Sequence, residues 1–337
     1  MKIAVLGAGA IGAYVGAALH RGGAEVHLIA RGEHLRAMRA HGVHVRSPRG
    51  DFVARPHATD DPAEIGPVDY VFLGLKAHSY PSSGPLVAPL LGDRTAVVAG
   101  QNGIPWWYFH KLAGPYEGLK IEAVDPGGAT SKVLPPERAI GCVVYPATVI
   151  ESPGVIRHLE GTRFSIGEPS GEVSERCTAL SEAMVAGGLK CPVESNLRDD
   201  IWIKLMGNVA FNPISALTRA TMAEICRHPL TRRLVAQLME ETLDIAARVG
   251  SRPAISIEKR LRGAEGVGDH KTSMLQDLEA GKQLELDAIV TAVVEMADIS
   301  GAEAPTLRAI HAATDLLARC GAAGPGSGGS APKPASA

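Results

Sequence analysis

Residues 2–16 read KIAVLGAGAIGAYVG, and they decide the fold of the N-terminal part of the chain. A short apolar run typical of a buried strand leads into the pattern GxGxxG, which opens a run of small residues typical of a closely packed helix. In such a unit the first glycine permits the tight turn, the second lets a pyrophosphate approach the backbone, and the third lets the helix pack on the strand. The helix N-terminus then faces the phosphates. The predicted dinucleotide-binding residues are Gly7, Gly9, Ala10, Ile11 and Gly12.

Apolar strands alternate with helices downstream of this turn. The predicted helix is EHLRAMRAHG (33–42), and the predicted strands are EVHLIAR (25–31), VDYVFLGLK (68–76), TAVVAGQNG (95–103) and LKIEAVDPG (119–127). This alternation implies a parallel sheet that is covered on both faces by helices. The predicted fold class is therefore α/β, with an N-terminal Rossmann-type doubly wound parallel sheet and an all-helical C-terminal domain.

The pattern changes after residue 140. Residues 140–170 alternate apolar and polar side chains around Pro/Gly turns, which predicts hairpin strands that extend the sheet. The later predicted helices are 199–212, 229–249, 271–280, 284–299 and 305–319. We therefore predict an NADP-binding Rossmann domain at 1–196 and a helical substrate and catalytic domain at 197–320. The last residues, 321–337, are rich in Gly, Pro and Ser and predict a disordered tail.

Composition and charge exclude several classes of protein. The 337 residues carry a formal net charge of -2, which gives no reason to expect nucleic acid or an anionic membrane as partner. No apolar run reaches the ~18 residues of a membrane span, and the glycine-rich start does not resemble a signal peptide. Five scattered cysteines show neither a disulfide framework nor metal-ligand spacing, so we expect a cytoplasmic protein without a metal site.

The cofactor is expected to be NADP(H). The second predicted strand ends at Arg31, where NAD-specific proteins place an acidic residue, and a guanidinium suits the 2′-phosphate of NADP. Arg36 is a candidate to assist, whereas Glu33 is a candidate ribose ligand, and a surface role for Arg31 stays open. Lys76 and Asn102 follow two strands at the edge where open α/β sheets bind ligands, so they are candidates for the nicotinamide side or for solvated loop positions.

Residues 199–218 predict a buried helix that carries an unusual polar stripe. Lys204, Asn208 and Asn212 are spaced by four, so they share one helix face among apolar neighbours. Burial of a lysine is costly unless it is paired or its pKa falls. A lysine ammonium can polarise a carbonyl and donate a proton to it, and amides can hold substrate oxygens without added charge. The alternative is a lysine that reaches the surface from a core helix.

Residues 270–290 hold a second group of polar candidates. Glu285 lies between two leucines at a predicted helix start, where a carboxylate is favourable through the helix dipole alone. The functional alternative is that Glu285 or Asp287 accepts a hydrogen bond from a substrate hydroxyl. Ser273, in the preceding helix, is a candidate to contact a substrate carboxylate.

These segments together resemble the ketopantoate reductase (2-dehydropantoate 2-reductase) family. The similar segments are 2–16, LKA (75–77), QNG (101–103), WIKLMGNVAFNPISALT (202–218) and TSMLQDLEAGKQLELDAI (272–289). The resemblance implies NADPH-dependent reduction of a 2-oxo acid to a D-2-hydroxy acid in pantothenate biosynthesis.

The resemblance also implies roles for individual residues. Lys204 is the implied general acid, and Glu285 is implied to bind a substrate hydroxyl. The implied substrate-binding residues are Asn208, Asn212 and Ser273. Lys76 and Asn102 are implied to lie near the nicotinamide, and Arg31 near the 2′-phosphate.

Two features depart from the family pattern. Four aromatic residues, Trp106–Phe109, follow the QNG segment and are expected to form a core patch, a dimer contact or an aromatic wall of the substrate pocket. Gly207 stands beside Asn208, where the resemblance leads us to expect a bulkier residue. The alternatives are therefore a paralogue acting on a bulkier or aromatic 2-oxo acid and a non-catalytic NADP(H) sensor. The sequence leaves open whether the chain forms a homodimer.

Overall fold

The structure is a computed structural model that describes residues 1–322. All but the first two residues of the predicted tail lie outside the described residues. The strands are β1 (Lys2–Leu6), β2 (Glu25–Ile29), β3 (Val43–Arg46), β4 (Phe52–Ala54), β5 (His57–Thr59), β6 (Val68–Leu73), β7 (Leu91–Ala99), β8 (Ala139–Val144), β9 (Ala147–Ser152), β10 (Val155–Glu160) and β11 (Phe164–Gly167).

The helices concentrate in the second part of the chain. They are α1 (Ala10–Arg21), α2 (Gly32–His41), α3 (Gly84–Val87), α4 (Ala129–Val133), α5 (Glu175–Ala186), α6 (Leu197–Thr218), α7 (Met222–Arg227), α8 (Pro229–Arg248), α9 (Ile257–Gly266), α10 (Ser273–Glu279), α11 (Ala292–Ser300) and α12 (Pro305–Ala322). A π-helical turn, Asp287–Thr291, precedes α11. No described helix is long and apolar enough to cross a membrane.

A seven-stranded sheet forms the N-terminal part, in the order β11-β8-β7-β6-β1-β2-β5. All its neighbouring strands are parallel except β11, which runs antiparallel to β8. One apolar cluster fills the face under α1 and α5, and a second joins the other face to the helices that follow. The predicted α/β fold class is confirmed.

One strand prediction was wrong and another was only partly right: of the strands predicted in 140–170, β8 and β11 extend the main sheet. Strands β9 and β10 do not extend the main sheet, because they pair with β3 and β4 in a separate four-stranded sheet. Residues 119–127 form turns rather than a strand, with Ile121 and Val124 buried. These two side chains are three residues apart and therefore cannot share one face of an alternating strand. Strands β3, β4 and β5 were not predicted, since each has only three or four residues.

Helix α6 occupies the centre of the helical part, where it packs against α8, α10 and α12 and against β8 of the sheet. It is longer than the predicted 199–212, and it continues through Pro213 to Thr218. Helices α7 and α9 lie in the region predicted to be helical but were not predicted as separate helices, and α5 was not predicted. Since β11 ends at Gly167 and α6 begins at Leu197, a domain division at residue 196 stays a prediction.

Candidate active site

Lys204 extends from α6 toward the carboxyl ends of two strands. Its Nζ donates hydrogen bonds to Asn102 Oδ1, at 2.6 Å, and to the carbonyl oxygen of Val144, at 2.5 Å. Asn102 follows β7, and Val144 is the last residue of β8. The predicted lysine therefore does not reach the surface from a core helix. It is half-buried where the sheet meets the helices.

The surroundings of Lys204 lower its pKa to about 8, chiefly through desolvation. Three further groups act on the ammonium, among them Glu285 and Arg260 with opposite effects. The charge of Glu285 raises this pKa, and that of Arg260 lowers it. Lys204 therefore changes its protonation state close to neutral pH, as a proton donor requires.

Glu285 is linked to Lys204 through one amide. Asn102 Nδ2 donates to Glu285 Oε2 at 3.3 Å, while Asn102 Oδ1 accepts from the lysine. Burial raises the pKa of Glu285, and Lys76 together with the Asn102 hydrogen bond opposes that rise. Lys204, Asn102 and Glu285 thus form a continuous polar chain between the sheet and the helical part.

A small cavity adjoins this chain. It has a volume of about 20 Å³, and its lining includes Lys204, Asn208, Gln101, Trp107 and Cys142. Such a volume accommodates one water molecule but no substrate. The site is therefore nearly closed in this conformation.

A larger groove of about 590 Å³ runs past the GxGxxG turn. Gly7 adopts φ +90°, and a Cβ on Gly12 would lie 2.2 Å from the Gly7 carbonyl oxygen, so both positions require glycine. A Cβ on Gly9 would meet nothing within 4 Å, so the backbone there faces open space. This geometry fits a dinucleotide phosphate over the N-terminus of α1.

The lining of the groove also includes Arg31, His34 and Asp60. Arg31 is exposed and precedes α2. The Asp60 carboxylate pairs with Arg39 at 3.1 Å. Sequence reasoning missed His34 and Asp60. His34 lies in the first turn of α2, three residues after Arg31 at its N-cap, and this spacing is the signal that could have found it.

Comparison with known proteins decides the family. The family model described as ketopantoate reductase PanE/ApbA matches residues 3–171, and its C-terminal counterpart matches residues 196–318. A 2-dehydropantoate 2-reductase of Mesorhizobium japonicum is 49% identical over 94% of this chain and 98% of its own. The chain belongs to the ketopantoate reductase family.

Solved structures of the ketopantoate reductase family agree with this assignment. A protein assigned as a ketopantoate reductase from Ralstonia solanacearum superposes with a TM-score of 0.88 at 36% identity, over 95% of this chain and 98% of its own. A 2-dehydropantoate 2-reductase from Geobacter metallireducens gives 0.82 at 28% identity, over 94% and 99%. The protein is thus an oxidoreductase that uses a nicotinamide cofactor and a small-molecule substrate.

The predicted ketopantoate reductase residues are only partly brought together. Asn208 lines the small cavity beside Lys204. Asn212 is buried one turn further on, and its Nδ2 has no hydrogen-bond partner among the described residues. Ser273 is exposed in the first turn of α10. The roles of these three residues in substrate binding stay predictions.

Lys76 connects the two parts of the molecule. Its Nζ pairs with Asp277 Oδ2 of α10 at 2.6 Å and donates to the carbonyl oxygen of Gln283 at 3.2 Å. Sequence reasoning missed Asp277. It lies four residues after Ser273, so both occupy one face of α10, and this spacing is the signal that could have found it.

The aromatic segment 106–109 is mainly core rather than pocket wall. All four side chains are buried, and Trp106 Nε1 donates to the Leu134 carbonyl oxygen at 2.9 Å. The hydroxyl of Tyr108 accepts from Trp202 Nε1 at 2.7 Å. Only Trp107 among the four lines the cavity beside Lys204. The aromatic wall considered from the sequence is therefore reduced to one side chain.

Proposed function

We propose that this protein reduces 2-dehydropantoate (ketopantoate) to D-pantoate with NADPH. The observation that carries the proposal is the polar chain from Lys204 through Asn102 to Glu285, placed at the carboxyl ends of the strands. Support comes from the 49% identical relative, which is itself named a 2-dehydropantoate 2-reductase. The cysteines are all free, which supports a reducing compartment such as the cytoplasm.

Lys204 is the proposed general acid. NADPH, when bound, supplies the hydride for the carbonyl carbon. An ammonium has three N–H groups, and Asn102 and Val144 accept two of them. The third is free to donate to the carbonyl oxygen of the substrate and to pass its proton there. The lowered pKa favours this transfer, because the neutral amine is already accessible near pH 8.

Glu285 is proposed to bind the distal hydroxyl of ketopantoate. It is half-buried, and its single side-chain hydrogen bond among the described residues comes from Asn102. A carboxylate can accept several further hydrogen bonds, so it has capacity for a substrate hydroxyl. We expect Glu285→Gln to impair hydroxylated substrates more than hydroxyl-free 2-oxo acids. Equal losses on both would count against this recognition role.

Arg31 is proposed to bind the 2′-phosphate and thereby to select NADPH over NADH. Support comes from its position in the groove and from the pairing of both nearby carboxylates with other arginines. Glu33 lies 3.7 Å from Arg36, and Asp60 lies 3.1 Å from Arg39. A fold relative at 21% identity, D-mandelate dehydrogenase, has been solved with NADH. The preference therefore has to be measured here.

The preference for NADPH over NADH is tested by measuring the binding of both cofactors to one variant. Arg31→Ala should weaken NADPH binding about 30-fold through loss of a charge-assisted contact worth roughly 2 kcal/mol, and leave NADH binding unchanged. Parallel fluorescence titrations of both cofactors measure this. An equal loss for NADH would show that Arg31 does not read the phosphate.

The activity itself is tested by NADPH oxidation with ketopantoate, beside a panel of 2-oxo acids that includes bulky aromatic ones. Fast, NADPH-preferring turnover of ketopantoate is expected. Turnover of a bulkier acid alone would keep the mechanism and move the substrate assignment to the paralogue alternative, for which Trp107 is the remaining structural basis. Cofactor binding without turnover of any acid would favour the sensor alternative.

A further inference from the structure

The guanidinium of Arg260 lies against the middle of α6. Arg260 belongs to α9, and a Cβ on Gly207 would stand 2.3 Å from its Nη2 and 2.7 Å from its Nε. A side chain at position 207 would therefore require the flexible end of Arg260 to move away. Gly207 is smaller than the residue expected here in the family. Its lack of a side chain therefore lets the guanidinium pack against α6 at this position.

Glycine in the interior of a helix is locally unfavourable, because it loses more backbone freedom on folding than other residues. Gly207 is buried in α6, so no solvent-exposed turn or positive φ accounts for it. Glycine at this position permits the close approach of Arg260, and an alanine would displace the guanidinium from it.

The guanidinium has no partner of its own. Within residues 1–322 the Arg260 side chain forms no hydrogen bond or ion pair, and its Nε is buried and unpaired. Burial lowers the pKa of Arg260, and only the Tyr145 hydroxyl opposes that shift. A half-buried, unpaired cation is costly, and an anionic ligand would offset the cost.

Helix spacing and two electrostatic effects indicate where Arg260 lies relative to the reaction site. Gly207 is one helical turn from Lys204 on α6. Arg260 approaches position 207 directly, and its charge lowers the pKa of Lys204, in agreement with that placement. Tyr145, which interacts with Arg260, follows Val144, whose carbonyl oxygen accepts from Lys204. The guanidinium thus lies beside the proposed proton donor.

We propose that Arg260, admitted by Gly207, binds the carboxylate of the 2-oxo acid substrate. The inference rests on the proposed function. In a 2-oxo acid the carboxylate is bonded directly to the reacting carbonyl carbon, so its binding group must lie next to the proton donor. A guanidinium presents two parallel N–H donors that match both oxygens of a carboxylate. Lys204 and Arg260 together match the carbonyl oxygen and the carboxylate of one small molecule.

The test compares a 2-oxo acid with its uncharged methyl ester. Arg260→Ala should raise KM for ketopantoate about 100-fold and leave KM for the methyl ester nearly unchanged, because only the acid loses a charged partner. Calorimetric titration of ketopantoate into the protein with NADP⁺ should show the same loss in affinity. The Kd for NADP⁺ itself should not change.

Matched variants separate this role from a structural one. Arg262→Ala removes the same charge from an exposed position of α9 and should leave both substrates unaffected. Gly207→Ala displaces the guanidinium without changing the charge and should raise KM for the acid, whereas Gly263→Ala, at an open position of α9, should not. If Arg260→Ala does not fold, Arg260→Lys keeps a cation without the two-donor geometry and should give an intermediate, acid-specific loss.

Two outcomes would overturn the inference, and they are distinguishable. An unchanged ratio of acid to ester KM in Arg260→Ala, with normal turnover by the native protein, would reject the carboxylate role and leave the proposed function standing. Failure of the native protein to reduce any 2-oxo acid would reject the proposed function and this inference with it.

Discussion

Lys204 is a cation among apolar neighbours, and its contacts explain how the helix tolerates it. Two acceptors from the sheet, Asn102 Oδ1 and the Val144 carbonyl oxygen, replace water around the ammonium. Glu285 lies close enough to offset part of the desolvation. The cost of placing a lysine here is thus reduced but not removed, as its lowered pKa shows.

Replacement of this lysine tests its chemical role. Lys204→Met should lower kcat by about 10³-fold, since general acid catalysis contributes 10²–10⁴-fold, while the Kd for NADPH stays unchanged. Steady-state kinetics and fluorescence titration measure the two quantities. Lys282→Met, at an exposed position, is the control and should keep full activity. Normal turnover in Lys204→Met would contradict the proposed role of Lys204 as general acid.

The pH dependence of kcat follows from the same group. The proposed general acid Lys204 can donate a proton only in its ammonium form, so kcat should be level below pH 8 and should fall about tenfold per pH unit above it. The groups acting on the ammonium are Glu285 and Cys142, which raise its pKa, and Arg260, which lowers it.

The pH at which kcat begins to fall should differ between the native protein and Glu285→Gln. Glu285→Gln removes a charge that raises the pKa of Lys204, so the fall in kcat should begin at a lower pH. A profile of kcat from pH 6 to 10 in both proteins measures the shift. A limb that stays in place would show that another group controls the profile.

The loop after β7 packs closely against the π-helical turn before α11, and a glycine in the loop permits this contact. The loop after β7 contacts the π-helical turn Asp287–Thr291, and Ile104 N donates to the Ala288 carbonyl oxygen at 2.8 Å. Gly103 adopts φ +85°, and a Cβ there would lie 2.2 Å from that same oxygen. This close approach holds the loop with Asn102 against the segment that carries Glu285.

Gly103→Ala should separate these elements. A matched control is Gly250→Ala, because Gly250 has φ +90° but open space around it. The control should lose only the roughly 1–2 kcal/mol of a left-handed backbone conformation. Gly103→Ala should lose more stability and most of its activity, as measured by chemical denaturation and turnover. Equal stability losses and full activity in both variants would contradict this account.

The whole molecule is bridged across the cleft between its two parts. Lys76 binds Asp277, and Asn102 binds both Lys204 and Glu285, while the cavity beside Lys204 holds only about 20 Å³. We therefore expect the two parts to separate when the substrate enters. The groove of about 590 Å³ at the GxGxxG turn is already open enough for a cofactor to approach.

Loss of the Lys76–Asp277 ion pair should make separation of the two parts more frequent. Asp277→Asn removes an ion pair worth up to about 1 kcal/mol, so amide hydrogen exchange in α10 should rise by about fivefold. Glu279→Gln, which breaks the exposed Lys271–Glu279 pair without crossing the cleft, should leave this exchange unchanged. Equal exchange in both variants, as followed by mass spectrometry, would show that the Lys76–Asp277 pair does not hold the cleft.

The sequence by itself determined the features that rest on local periodicity. The alternation of strands and helices predicted the parallel sheet, and GxGxxG predicted the turn between β1 and α1. The four-residue spacing of Lys204, Asn208 and Asn212 predicted a polar stripe on a central helix. Each of these patterns acts over a few residues, where backbone geometry decides which side chains share a face.

Only the tertiary structure decided which distant residues meet. Lys76 and Asp277 are 201 residues apart, and the pairing of β10 with β3 links residues more than a hundred positions apart. The approach of Arg260 to Gly207 likewise depends on how α9 packs near α6. Strand partners and cross-cleft contacts are chosen by burial and shape across the whole molecule, and a single sequence carries no local signal for that choice.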